Sequence, residues 1–255
     1  MNEITDHPYV VFAISIVLLW ISAQVGVQLG KRGQDQPKDE RDDFSTILAA
    51  ALTLLGLIVG FSFSMAISRY DERKNLEEAE ANAIGTEYAR ADLLPPANAA
   101  RVRVLLKSYL DQRILFYQTR HSGELVQINI GTERLQADLW DVVQAAAAAQ
   151  PTPVMALVVS GMNDVLNSQG YTQAAWRNRI PIAAWGLMVV IAIYCNGLIG
   201  YGARRATTEV TLFFVLPLAL SISFFFIADI DSPNAGAIRV HPINLTTLAR
   251  SLQPH

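Results

Sequence analysis

The chain has 255 residues, 51% of them apolar and only 17% charged, with a net charge of −3 and one cysteine. A water-soluble domain carries roughly a quarter charged residues, so this composition excludes an ordinary soluble globule. One cysteine excludes a disulfide scaffold or thiolate metal cluster, and the absence of a basic run excludes a nucleic-acid partner.

The apolar residues are bunched into four nearly uncharged stretches, 9–30, 44–68, 180–203 and 209–228. At about 1.5 Å per residue each is long enough to cross a hydrocarbon core of roughly 30 Å. The expected fold is an all-α membrane protein with four transmembrane helices, its partner the lipid bilayer. An even number of crossings puts both termini on one side. The leader MNEITDHP has no basic n-region, so the first stretch reads as a retained anchor rather than a cleaved signal peptide. Within it Ser22, Gly26 and Gly30 recur every four residues, a small-residue ridge that lets another helix approach closely. The link 31–43 mixes both charge signs with turn formers and reads as a solvated loop.

The second span repeats the device at Gly56, Gly60, Ser64 and Ser68. Such a ridge serves packing inside one chain or between subunits. One residue further round, Thr53, Leu57 and Phe61 form a second stripe; about a symmetry axis it would make an apolar constriction that gates by dewetting, and in a lone bundle it would be ordinary core or lipid-facing surface. SMAISRYDERKN then passes from apolar to charged without Gly or Pro, so the helix is expected to leave the membrane unbroken, with Arg69 and Tyr70 at the interface. Beyond them Glu77, Glu80 and Glu87 lie on one face. Solvation with pairing to Arg73 or Arg90 explains that face; a cation site at a pore mouth is the alternative.

Residues 69–179 form a polar block between the second and third spans, expected to be a helical extramembrane domain. Its punctuation falls at Pro95-Pro96, His121-Ser122-Gly123, Gln150-Pro151 and Ser168-Gln169-Gly170. The predicted helices are an extension of the second span to Leu94, then 97–120, about 132–149 and 151–168. VQINI at 126–130 is a weak strand candidate. In the third span, Cys195 and Asn196 fall at mid-membrane, and Asn196 needs an interhelical hydrogen-bond partner or water. The link 202–208 is a tight turn, and Pro217 predicts a kink in the fourth span. Asp229 and Asp231 close that span, where acidic groups oppose the helix dipole at about 0.3–1 kcal/mol each and call for a partner such as Arg239, a neighbouring domain or a cation. The tail 229–255 is expected to be irregular and to end in a short helix. Basic residues flank both sides of the spans equally, so the positive-inside rule returns a tie.

The run VGFSFSMAISRYDER, Val59 to Arg73, resembles the second transmembrane segment of bestrophins: Gly60-Phe61, then Arg69 eight residues on, then an aromatic at Tyr70. The longer pattern SRYDERKNLEEAEANAIGTEYARADLLP, with NRIP at 178–181 and DIDSPNAG near the end, resembles the bestrophin-like family of bacterial membrane proteins from about residue 45 to 240. Bestrophins are pentameric anion channels with four spans per subunit, cytoplasmic termini and a helical cytoplasmic domain. The resemblance implies a pore neck at Phe61, Leu57 and Thr53. Leu57 stands where bestrophins tend to have Phe, Thr53 where they have Ile, and Leu54 replaces the proline near the start of their neck. It also implies a bacterial inner-membrane location with block 69–179 in the cytoplasm.

The leading expectation is therefore a homo-oligomeric ion channel, pentameric and anion-conducting by resemblance, with Arg69, Glu77, Glu80, Asp229 and Asp231 as charges near the pore mouth. Those carboxylates would favour cations on electrostatic grounds. The alternative is a membrane-anchored scaffold or sensor whose helical domain binds a protein partner. An enzyme is not expected: His7, His121, His241 and His255 form no HxxxH pair, and no GxSxG, phosphate-cradling loop or CxxC occurs. No cofactor and no metal site are expected.

Overall fold

The computed structural model describes residues 5–32, 38–202 and 210–253. Among them there are helices and no strands: α1 (Pro8–Arg32), α2 (Lys38–Arg90), a 3-10 turn (Ala91–Leu93), α3 (Pro96–Gln118), α4 (Ser122–Ala149), α5 (Pro153–Arg177), α6 (Ile182–Gly202), α7 (Val210–Asp231) and α8 (Ile243–Ser251). Of the link 31–43, expected to be a solvated loop, residues 31–32 end α1 and residues 38–43 open α2; residues 33–37 and nearly all of the link 202–208 lie outside the described residues.

The chain divides into two compact units. The first holds residues up to Arg69 together with Arg179–Arg239, and the second holds Tyr70–Asn178 with Val240 onward.

In the first unit α1 packs against both α6 and α7. Its small-residue ridge is used inside the chain: a Cβ at Gly26 would run into the Gly197 carbonyl oxygen, and one at Gly30 into that of Tyr201. A Cβ at Gly200 of α6 would meet the Ala23 carbonyl in turn. Backbones can approach this closely only where side chains are absent on both sides. Ser22 Oγ donates to the Ile193 carbonyl at 2.6 Å across the same seam. Against α7, Tyr9 and Phe12 ring Phe225 at 5.4 and 6.3 Å. Asn196 satisfies its amide within its own helix, Nδ2 donating to the Ala192 carbonyl at 2.7 Å. Pro217 lies inside α7.

The second unit has its own core, centred on Ile84 of α2, Val102, Leu106, Tyr109 and Leu110 of α3, Leu139 and Val143 of α4, Val158, Met162 and Val165 of α5, and Leu245 of α8. Three of the four predicted breaks are real. Pro96 opens α3, residues 119–121 separate α3 from α4, and Thr152, accepting the Met155 N–H at 3.2 Å, caps α5. The fourth is not: α5 runs through Ser168-Gln169-Gly170 to Arg177. A helical glycine costs about 1 kcal/mol, and the buried Ser168, Gln169, Thr172 and Ala175 on the same helix outweigh it. The strand candidate VQINI is likewise helical, within α4. Its half-buried Ile128 packs on the core, which an isolated strand of five residues could not have achieved. The helix of the fourth span continues through Asp231, so the irregular segment begins at Ser232 rather than at 229; the short helix expected further on is α8.

Candidate functional site

The apolar part of α2 buries Leu55, Ser62 and Ala66, residues seven and four apart that form one narrow face. Among the described residues the rest of its circumference is exposed or only partly covered. Phe61 is 65% exposed and Leu57 53%; Thr53 is exposed as well, its Oγ1 donating to the Ala49 carbonyl at 2.8 Å. A Cβ built at Gly56 or Gly60 meets nothing within 4 Å, and Ser64 and Ser68 are not buried. The two small-residue ridges therefore differ. That of α1 is occupied by α6, while that of α2, with the adjacent stripe, has no occupant among the described residues.

At the far end of this segment the charged residues converge. Arg69 Nη1 lies 3.5 Å from Asp231 Oδ1. Asp231 also accepts the Ile180 N–H, at 3.1 Å to the nearer carboxylate oxygen. Arg179 Nη1 donates to the Asp231 carbonyl at 2.9 Å, and its Nη2 donates to Asp6 at 2.6 Å. Asp229 accepts the backbone N–H groups of Ala237 and Ile238 at 2.7 and 2.9 Å. The turn after α7 folds back so tightly that a Cβ at Gly236 would strike the Asp229 carbonyl. Both aspartates thus offset the dipole penalty with N–H donors. Sequence reasoning names Arg239 as a candidate partner and misses Arg179, Asp6 and these amides. The turn-forming DSPNAG close after Asp229 is the one signal that points to them.

The acidic face of α2 in the second unit is not the solvated surface that its spacing suggests. Glu77, Glu80 and Glu87 are all buried. Glu77 accepts Asn244 Nδ2 at 2.7 Å and the Leu245 N–H at 2.9 Å, so it caps the first turn of α8. Glu80 pairs with Arg113 of α3, which donates from Nε, and accepts from Tyr117 Oη at 3.1 Å. Arg113 stacks over Phe116, its guanidinium carbon 4.4 Å from the ring centroid. Burial alone would pull Arg113 down, but the Glu80 carboxylate prevails and lifts it above the ordinary arginine value. Burial, with Glu80 adding, pushes the Tyr117 and Tyr109 hydroxyls above the usual tyrosine range. Glu87 differs: no donor among the described residues reaches either of its carboxyl oxygens. Burial raises it from 4.5 to about 8, with Arg90 opposing and Asp164 adding. Among the described residues no group of three or more His, Cys, Asp or Glu is arranged to hold a metal ion.

Among the described residues, four helices long and apolar enough to cross a membrane define a polytopic α-helical membrane protein. The family model for the bestrophin-like domain matches residues 14–245, and the chain belongs to that family. The fold is similar to that of a bacterial bestrophin homolog from Klebsiella pneumoniae. Two crystal structures of point variants match at 14% and 12% identity, with TM-scores of 0.65 and 0.63, covering 94% of this chain and 96% and 93% of theirs. A third crystal structure, described as that of a membrane protein, matches at 14% identity and a TM-score of 0.64 over 95% of this chain and 96% of its own. No curated protein sequence matches.

Proposed function

We propose that the protein is a homo-oligomeric ion channel of the bacterial inner membrane, pentameric like bestrophins, in which Thr53, Leu57 and Phe61 of each subunit line an apolar neck and Gly56, Gly60, Ser64 and Ser68 clasp the neighbouring subunit. One observation carries this reading: among the described residues nothing covers either stripe of α2, whereas the equivalent ridge of α1 is filled by α6. Lipid supplies little driving force for hiding apolar side chains, so a glycine ridge that nothing described in the chain fills is best explained by a helix of another copy. The block 69–179 lies outside the bilayer, on the cytoplasmic side.

Anions are the favoured permeant class. Acidic groups near the mouth would select cations only if their charge faced the permeating ion, and Glu77, Glu80, Asp229 and Asp231 all spend their carboxylates on donors within the chain. Family membership supports the same choice. Conduction is passive and involves no chemical step.

The test is flux through purified protein in liposomes. Chloride flux exceeding sodium and potassium flux, raised by Phe61→Ala, is the expected result. An oligomer that passes none of the three ions would overturn the channel reading and favour a membrane-anchored scaffold.

A further inference from the structure

Glu87 lies on α2 where that helix meets α5 in the second unit. The crossing is made at a glycine: a Cβ at Gly161 would collide with Glu87 Oε2 and with Arg90 Nη1. The side chain is fully buried, and neither carboxyl oxygen has a donor among the described residues. This contrasts with Glu77 and Glu80, each of which has its charge met by well-placed donors. The charged groups facing Glu87 are Arg90, from its own helix, and Asp164, from α5. Arg90 directs Nη1 to the Leu157 carbonyl at 3.3 Å, so that donor is committed elsewhere. A buried carboxylate without donors is costly, and such a group keeps its proton instead.

We propose that Glu87 is a proton-binding site of the helical unit: it is neutral in the packed α2–α5 crossing, and its ionisation draws Arg90 from the Leu157 carbonyl and loosens α5 about Gly161. Its midpoint, about 8, falls where modest alkalinisation changes its charge. Asp164 is exposed and acts on Glu87 only through space, so it tunes the midpoint without forming part of the packing. Proton binding at this crossing does not depend on ion conduction.

The experiment is infrared titration of the intact protein in lipid nanodiscs from pH 6 to pH 10, with amide hydrogen exchange over residues 153–165 corrected for the intrinsic rate. The expected result is a protonated-carboxyl band in the wild type that disappears with a midpoint near pH 8, accompanied by faster exchange in that segment. Glu87→Gln should lack the band throughout and show exchange that does not depend on pH. A band of equal intensity in wild type and Glu87→Gln at pH 6 would overturn the proposal. Asp164→Asn keeps the test decisive even if Glu87→Gln fails to fold. With the neighbouring negative charge removed, the midpoint should fall, and an unmoved midpoint would overturn the proposal equally.

Discussion

Arg179 holds Asp231 by its main chain: the guanidinium donates to the Asp231 carbonyl at 2.9 Å while its other nitrogen reaches Asp6. The Asp231 side chain meanwhile takes the Ile180 N–H and faces Arg69. One aspartate at the end of α7 thus ties together the residues before α1, the exit of the second apolar span and the entry to α6. Removing its acceptor atoms leaves a buried N–H without a partner, a penalty of about 1–3 kcal/mol. Asp231→Ala should therefore lower the unfolding temperature in detergent more than Asp231→Asn, whose amide oxygen still accepts from Ile180. Equal losses would mean that the charge facing Arg69, rather than the Ile180 bond, carries the junction.

The Glu80–Arg113 pair is fully buried, and breaking such a pair by removing one member typically costs about 3–5 kcal/mol because the other charge is left uncompensated. Glu80→Leu and Arg113→Met should each be severely destabilising. The double variant should recover much of the loss, since apolar replacement of a buried pair is often neutral. A double-mutant cycle on urea or thermal unfolding measures this coupling, and simple additivity would show that the two groups do not act as a pair.

The contrast between the two glycine ridges separates folding from assembly. Gly26→Ala and Gly200→Ala place a methyl group against backbone that has no room to move, so both should reduce the yield of folded monomer. Gly60→Leu adds bulk where the chain is open. It should leave subunit unfolding within about 0.5 kcal/mol of wild type, as surface substitutions do, and shift the oligomer distribution seen by native mass spectrometry towards smaller species. An unchanged distribution would argue against subunit packing on this ridge.

The fold was largely legible because its determinants are local. Four uncharged stretches mark the spans, and Pro95-Pro96 and Gln150-Pro151 mark helix ends, each through a single backbone effect. Gly170 misled because a helix breaker weighs less than the buried residues around it. The charged positions were less legible for a related reason. An acidic stripe at Glu77, Glu80 and Glu87 looks the same whether it faces water or a guanidinium. The partner that decides the matter for Glu80, Arg113, lies 33 residues away, and Glu77 waits on Leu245 across 168. The α2 stripe was visible from spacing alone; that nothing among the described residues covers it while the α1 ridge is filled became visible only once α6 was placed.

Stability should depend on pH through Glu87. Its carboxyl titrates near 4.5 when exposed and at about 8 in the folded protein, so between those values the folded state holds a proton that the unfolded state has released. Stability is then full below about pH 4.5, declines as pH rises towards 8, and levels off above it. Each pH unit between the two midpoints is worth about 1.4 kcal/mol, so the decline amounts to a few kcal/mol and several degrees of unfolding temperature. Glu87→Gln, neutral in both states, should remove this component and be the more stable protein at pH 9. Gly161→Ala provides the complementary measurement. Its methyl group would displace Glu87 and Arg90 together, so the variant should be destabilised at every pH and should lose the Glu87-dependent slope. A slope that survives unchanged in Glu87→Gln would assign the pH dependence to another group.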